Sequence, residues 1–201
     1  MNEAADVTTS LPTLVLLAFW WAFVSILSVL SSGAHPESPD MAKPAGAAKT
    51  DDKRAASPQS RNIREADPSF DERMFLEGAA KAYEIILNAF ATADVAALRP
   101  LLAPDVLAAF EVAITERKGR QEASQLSFVR LKDACIESSS AAAEGIEVTV
   151  RLAAEIISAT RSASNEVVDG DPDRIVATHD LWTFGRRRGD KDWRLVATDE
   201  A

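Results

Sequence analysis

The sequence predicts an α+β fold, with helices packed on one face of a curved antiparallel sheet. Two observations carry this. Between positions 69 and 118 apolar residues recur at spacings of three and four, whereas from position 122 the period changes to two. The two regimes follow one another instead of alternating, which is the order of an α+β domain and not of a parallel α/β sheet. A third, separate signal is an uncharged stretch at 11–30, LPTLVLLAFWWAFVSILSVL. It divides the chain into a tail (1–10), a membrane-spanning helix (11–30), a linker (31–67) and the α+β domain (68–201).

The stretch at 11–30 is long enough for a helix to cross a ~30 Å hydrocarbon core at ~1.5 Å per residue. The preceding tail carries Glu3 and Asp6 and no Lys or Arg, so it lacks the basic n-region of a signal peptide. Lys43 follows the anchor, and this slight bias places the C-terminal side in the cytoplasm. The linker holds Pro36, Pro39, Pro44 and Pro58 among Ala, Ser and mixed charge. It shows no apolar period and is expected not to fold by itself.

The domain opens with an amphipathic helix over 69–91. Phe75, Leu76, Ala79, Ala80, Tyr83, Ile86, Leu87 and Phe90 share one face. Ser69 and Glu72 have the spacing of a capping box, and Asp71 and Glu72 put negative charge at the positive end of the helix dipole. Asp94 is expected to cap a short helix over 95–99 that Pro100 ends. Pro104 opens a third helix to 118, with Val106, Leu107, Phe110, Ala113 and Ile114 as its apolar face, and Gly119 stops it. A first strand follows with an irregularity near Arg130, and Ser138, Ser139 and Ser140 begin a turn. A long strand over 145–159 alternates Ile146, Val148, Val150 and Leu152 with Glu147, Thr149 and Arg151. A polar loop over 161–173 leads to strands at 174–186 and 192–198, in the last of which Trp193, Leu195 and Ala197 share a face.

Composition narrows the function. The net charge is −9, which argues against a nucleic-acid partner, since such partners need a basic footprint. Cys135 is the single cysteine, so no intrachain disulfide and no cysteine metal cluster is expected. Asp169, Asp171 and Asp173 lie close together, but Asp-Gly and Pro172 mark a turn, and no EF-hand glutamate follows. No metal and no cofactor is expected. Arg186, Arg187 and Arg188 form the densest basic run, suited to anionic lipid head groups at ~1 kcal/mol per charge near a surface. The face built from Tyr83, Leu87, Phe90, Phe110, Trp182 and Trp193 is expected to bound an apolar pocket. A cavity enzyme of isomerase or cyclase type is the alternative, with Tyr83, His179 and Asp180 as its candidate polar groups.

The run FDERMFLEGAAKAYEIILNAFATADVAALRPLLAPDVLAAFEVAI, followed in order by VRLAAEIISATR, VVDGDP, HDLWTFGRR and DWRLVAT, resembles a known family. It is similar to the C-terminal domain of the mitochondrial import-motor tether, subunit forty-four of the inner-membrane translocase, in its bacterial form. The resemblance implies a cone-shaped fold of the nuclear-transport-factor-two type and a large apolar pocket between helices and sheet. It also implies contact with inner-membrane lipids such as cardiolipin. The function so implied is non-enzymatic: a membrane-tethered adaptor in a bacterial inner membrane, whose partners are lipids and membrane or translocating proteins. Recruitment of the seventy-kilodalton heat-shock chaperone is not carried over, because the region that binds it has no counterpart here.

Overall fold

The structure, a computed structural model, describes residues 58–200. The expected membrane helix at 11–30 and the linker up to position 57 lie outside the described residues. Among the described residues no helix is long and apolar enough to cross a membrane.

Among the described residues four helices precede four strands: α1 (Pro58–Ala66), α2 (Glu72–Thr92), α3 (Val95–Leu98), α4 (Pro104–Gly119), β1 (Ala123–Ala141), β2 (Gly145–Arg161), β3 (Val167–Arg187) and β4 (Arg194–Glu200). The strands form one antiparallel sheet in the order β1-β2-β3-β4. The α+β expectation holds, with helices on one face of an open, curved sheet. Curvature has a visible cause in β1, where the register with β2 shifts after Phe128, Leu131 and Ile136, because bulges bend a strand and add twist. The first of these is the irregularity that the sequence places near Arg130.

The fold begins earlier than position 68. Helix α1 lies against β1, and its Ile63 is wholly buried. A single strongly apolar residue in PQSRNIREA gives no period, so the sequence pattern places the segment in the linker. Helix α2 is capped by Asp71, not by Ser69: the Asp71 carboxylate accepts from the Met74 backbone N–H at 2.9 Å. Ser69 instead gives its N–H and hydroxyl to Asp67 at 3.0 and 2.6 Å, an Asx turn that orients the entry to α2. Asp94 caps α3 as expected, accepting from Ala97 N–H at 3.0 Å.

The sheet departs from the sequence reading in three places. Ser138, Ser139 and Ser140 are not a turn but the end of β1, paired to β2. The expected loop at 161–173 is mostly strand. Only 162–166 turns, and Asp169, Gly170 and Asp171 pair with Thr160, Ala159 and Ser158. The residues 172–175 bulge out before pairing resumes at Val176, consistent with Pro172, which has no N–H for a ladder. In β4 a register shift beside Phe184 reverses the alternation, so that Leu195 and Thr198 are buried while Ala197 is exposed. Gly145 opens β2 beside the end of β3: a Cβ there would collide with the Arg186 carbonyl.

The core lies between α2 and the inner face of β2 and β3. Val148, Val150, Leu152 and Ala154 are fully buried on β2, under Tyr83 and Ile86 of α2. The segment before α4 closes the open edge of β4: Ala103 N–H donates to Leu195 O, and Leu195 N–H to Leu101 O, both at 2.8 Å.

Candidate functional site

The six residues expected to bound one pocket all belong to, or pack against, one apolar core. They fall into three ring contacts spaced along α2. Near its start Trp193 packs on Phe75 at 4.8 Å between centroids, with Phe70 at 6.3 Å. At its middle Tyr83 meets Trp182 edge-on at 4.6 Å, with Phe128 at 6.1 Å. Near its end Phe90 meets Phe110 at 5.0 Å. Leu87 is buried in the core. Edge-on contacts at these distances are those of packed aromatic pairs. Tyr83 and Trp182 are buried, whereas Phe90, Phe110 and Trp193 remain partly exposed. A depression of about 410 Å³ lies elsewhere, lined by Ser138, Ser140, Glu147, Thr149, Thr183 and Val196 among others; none of the six belongs to it.

The three polar candidates separate. His179 is exposed, and by strand alternation it points away from the helices. Tyr83 and Asp180 meet inside: the Tyr83 hydroxyl donates to Asp180 Oδ2 at 2.5 Å and lies 3.0 Å from the Thr178 hydroxyl. Burial, and then the Asp180 charge, raise the Tyr83 phenol above its ordinary value. It stays protonated at neutral pH and serves as a donor, not a base.

The basic run also divides. Arg186 is largely covered and already engaged: its guanidinium pairs with Asp67 and stacks 4.7 Å from the centre of the Trp193 ring. It ties the α1–α2 turn to β3. Arg187 and Arg188 are exposed at the tip, where Gly145 pairs with Arg187 and Arg188 N–H donates to Glu144 O at 2.8 Å. The turns after β1 and β3 therefore share one end of the sheet, which presents Arg187, Arg188 and Lys191. Asp169, Asp171 and Asp173 stand at the other end of β3, on the order of 50 Å away at ~3.3 Å per residue. Burial raises the Asp169 carboxyl, and Glu122 adds to the rise. Among the described residues no group of His, Cys, Asp or Glu could hold a metal ion.

The Asp67–Arg186 link makes a pH prediction. The Ser69 hydroxyl, and then Arg186, hold the Asp67 carboxyl below its ordinary value. A carboxylate depressed by folding adds stability above its unfolded pKa of ~4 and loses it as pH falls through the lower folded value. Asp67→Asn is therefore expected to flatten the acid limb of a stability–pH curve below about pH 4. Identical acid limbs for variant and wild type would remove Asp67 from the account.

Arg117 was not foreseen. It is 7% exposed and donates to Phe90 O at 2.7 Å and Ala91 O at 3.0 Å, with its guanidinium 5.1 Å from the centre of the Phe90 ring. A cation thus closes the carbonyl end of α2, where the dipole is negative. A signal existed: Val106, Phe110, Ala113 and Arg117 lie on one helical stripe, and an arginine on an apolar stripe has to find partners inside.

Helices on one open, curved antiparallel sheet, with a basic tip and an acidic far end, make a small α+β domain. The chain belongs to the Tim44-like domain family, whose profile matches residues 56–200. A crystal structure of the intermembrane space region of the chloroplast protein ARC6 is similar over 66% of this chain and 98% of that one, with a TM-score of 0.48 and 12% sequence identity. No curated protein matches the chain.

Proposed function

We propose that this chain is a non-catalytic, membrane-tethered adaptor serving protein transport or the assembly of membrane complexes. Membership of the Tim44-like domain family over residues 56–200 is the observation that carries this reading. Residues 11–30 anchor the chain in a bacterial inner membrane, and the linker leaves the domain on the cytoplasmic side with freedom to reach a partner. The tip carrying Arg187 and Arg188 faces the anionic head groups, and the acidic end faces away. A lipid chain or an apolar peptide segment enters at the partly exposed Phe90–Phe110 pair, since Tyr83 and Trp182 are buried. The protonated Tyr83 phenol and the outward His179 favour adaptor over enzyme.

The test is binding of the domain to vesicles containing cardiolipin. Arg187→Ser with Arg188→Ser is expected to weaken binding at unchanged stability. Arg186→Ser is expected to lower stability instead, through the lost contacts with Asp67 and Trp193. Raised salt weakens the wild-type interaction, because exposed charges are screened over ~10 Å at 0.1 M. Equal vesicle binding by the double variant and the wild type would refute the lipid-facing tip.

A further inference from the structure

Two buried side-chain polar atoms of the described core have no hydrogen-bonding partner: the indole Nε1 of Trp182 and the hydroxyl Oγ1 of Thr198. They are neighbours. Trp182 and Thr198 stand opposite each other in the β3–β4 register, and residues so paired point to the same face with Cβ atoms ~4.5–5.5 Å apart. The two side chains are 3% and 5% exposed. The Trp182 ring lies under Tyr83 at 4.6 Å, so the pair is on the inner face, beneath α2.

Their chemistry is complementary, yet they do not bond to each other. An indole N–H only donates, while a hydroxyl both donates and accepts. One oxygen accepting from Nε1–H and hydrogen-bonded to Oγ1, each at ~2.9 Å, joins two atoms up to about 5 Å apart. Buried polar groups in folded proteins are almost always satisfied, by protein or by a bound molecule. A hydroxyl meets both needs at once: its lone pair takes the indole proton and its own proton goes to Oγ1. A donor-only ammonium cannot accept from the indole. An anion would lie close to Asp180, two residues along the same face of β3.

We propose that the inner face of β3 and β4 holds one ordered water, its oxygen placed between Trp182 Nε1 and Thr198 Oγ1. The site is independent of the adaptor reading: it stands or falls on the interior of the domain, whatever partner the tip engages.

The experiment is nuclear magnetic resonance of the full-length chain in detergent micelles, labelled with 15N-tryptophan. Four indole N–H signals are expected, from Trp20, Trp21, Trp182 and Trp193, and Trp182→Phe assigns one of them. The Trp182 N–H is expected to show a cross-peak to a long-lived water. Thr198→Val is expected to shift the Trp182 signal and abolish the cross-peak, while Thr198→Ser keeps it. An unmoved Trp193 signal reports that the fold is intact in each variant. Absence of the cross-peak in the wild type overturns the proposal. So does a Trp182 shift in Thr198→Val without a cross-peak in either protein, which would mean a direct Trp182–Thr198 bond.

Discussion

Replacing Arg117 with alanine lowers the stability of the domain by roughly 3 kcal/mol, because one buried and one part-buried carbonyl lose a charged donor at once. The carbonyls of Phe90 and Ala91 belong to the last turn of α2 and accept from Arg117 Nη2 at 2.7 and 3.0 Å. Without the guanidinium they remain enclosed beneath α4, and the negative end of the α2 dipole loses its cation. Burial lowers the Arg117 pKa, but an arginine keeps its proton at neutral pH, so the charge is present to be lost. Arg117→Met separates the causes. It retains the apolar stem against Phe90 and should recover little, since the polar bonds dominate. Arg117→Lys should recover part, because an ammonium can reach one carbonyl but lacks the planar fork. Urea unfolding of the four proteins decides this. A loss below about 1 kcal/mol for Arg117→Ala would mean that water reaches those carbonyls and that the α2–α4 junction is open.

The second large effect is expected at Trp182. Trp182→Ala should cost ~3–5 kcal/mol, through lost burial and the void left between Tyr83, Phe184 and β4. Trp193→Ala should cost less, since that ring is partly exposed, although Arg186 loses its stacking partner with it. The comparison bears on the pocket that the sequence suggested. Where a ring already borders empty space, truncation forfeits fewer contacts. A Trp182→Ala loss as small as that of Trp193→Ala would restore an open interior at the middle of α2. The larger loss would fit the ring packing seen at 4.6 Å with Tyr83 and 6.4 Å with Phe184.

What could be read from the sequence was what depends on periodicity. The inner face of α2, the alternation of β2 and the Asp94 cap follow from spacing and residue type alone, and the structure has them. What could not be read depends on pairing between distant segments. Ile63 is the one strong apolar residue of α1, so only the sheet beneath it gives that helix a reason to form. Asp169 to Asp171 carry turn chemistry, yet β2 is long enough to pair them and moves the irregularity to Pro172. Thr198 is buried because a register shift beside Phe184 reverses β4, and a shift of one residue is invisible in a period-two pattern. The candidate site shows the same division. Arg186, Arg187 and Arg188 look equivalent as a run. Strand alternation and the distant Asp67 and Trp193 take one of them into the fold and leave two at the tip.

Family membership accounts for the domain, and the unequal ends of β3 set the orientation that the proposed membrane contact would take. The acidic total disfavours approach to anionic lipid, so any attraction has to come from the local tip at Arg187 and Arg188, with the Asp169–Asp173 end held off. Asp190 and Asp192 flank that tip and temper it, so the proposed contact relies on the proposed anchor to hold it in place.

The most direct test of the adaptor reading is photocrosslinking in intact bacterial membranes, from a reactive residue placed at position 188 and, in parallel, at position 173. The account predicts adducts with phospholipid and inner-membrane or translocating polypeptides from position 188, few lipid adducts from position 173, and loss of both kinds when residues 11–30 are deleted. Equal lipid labelling from the two positions, or adducts that survive the deletion unchanged, would contradict it.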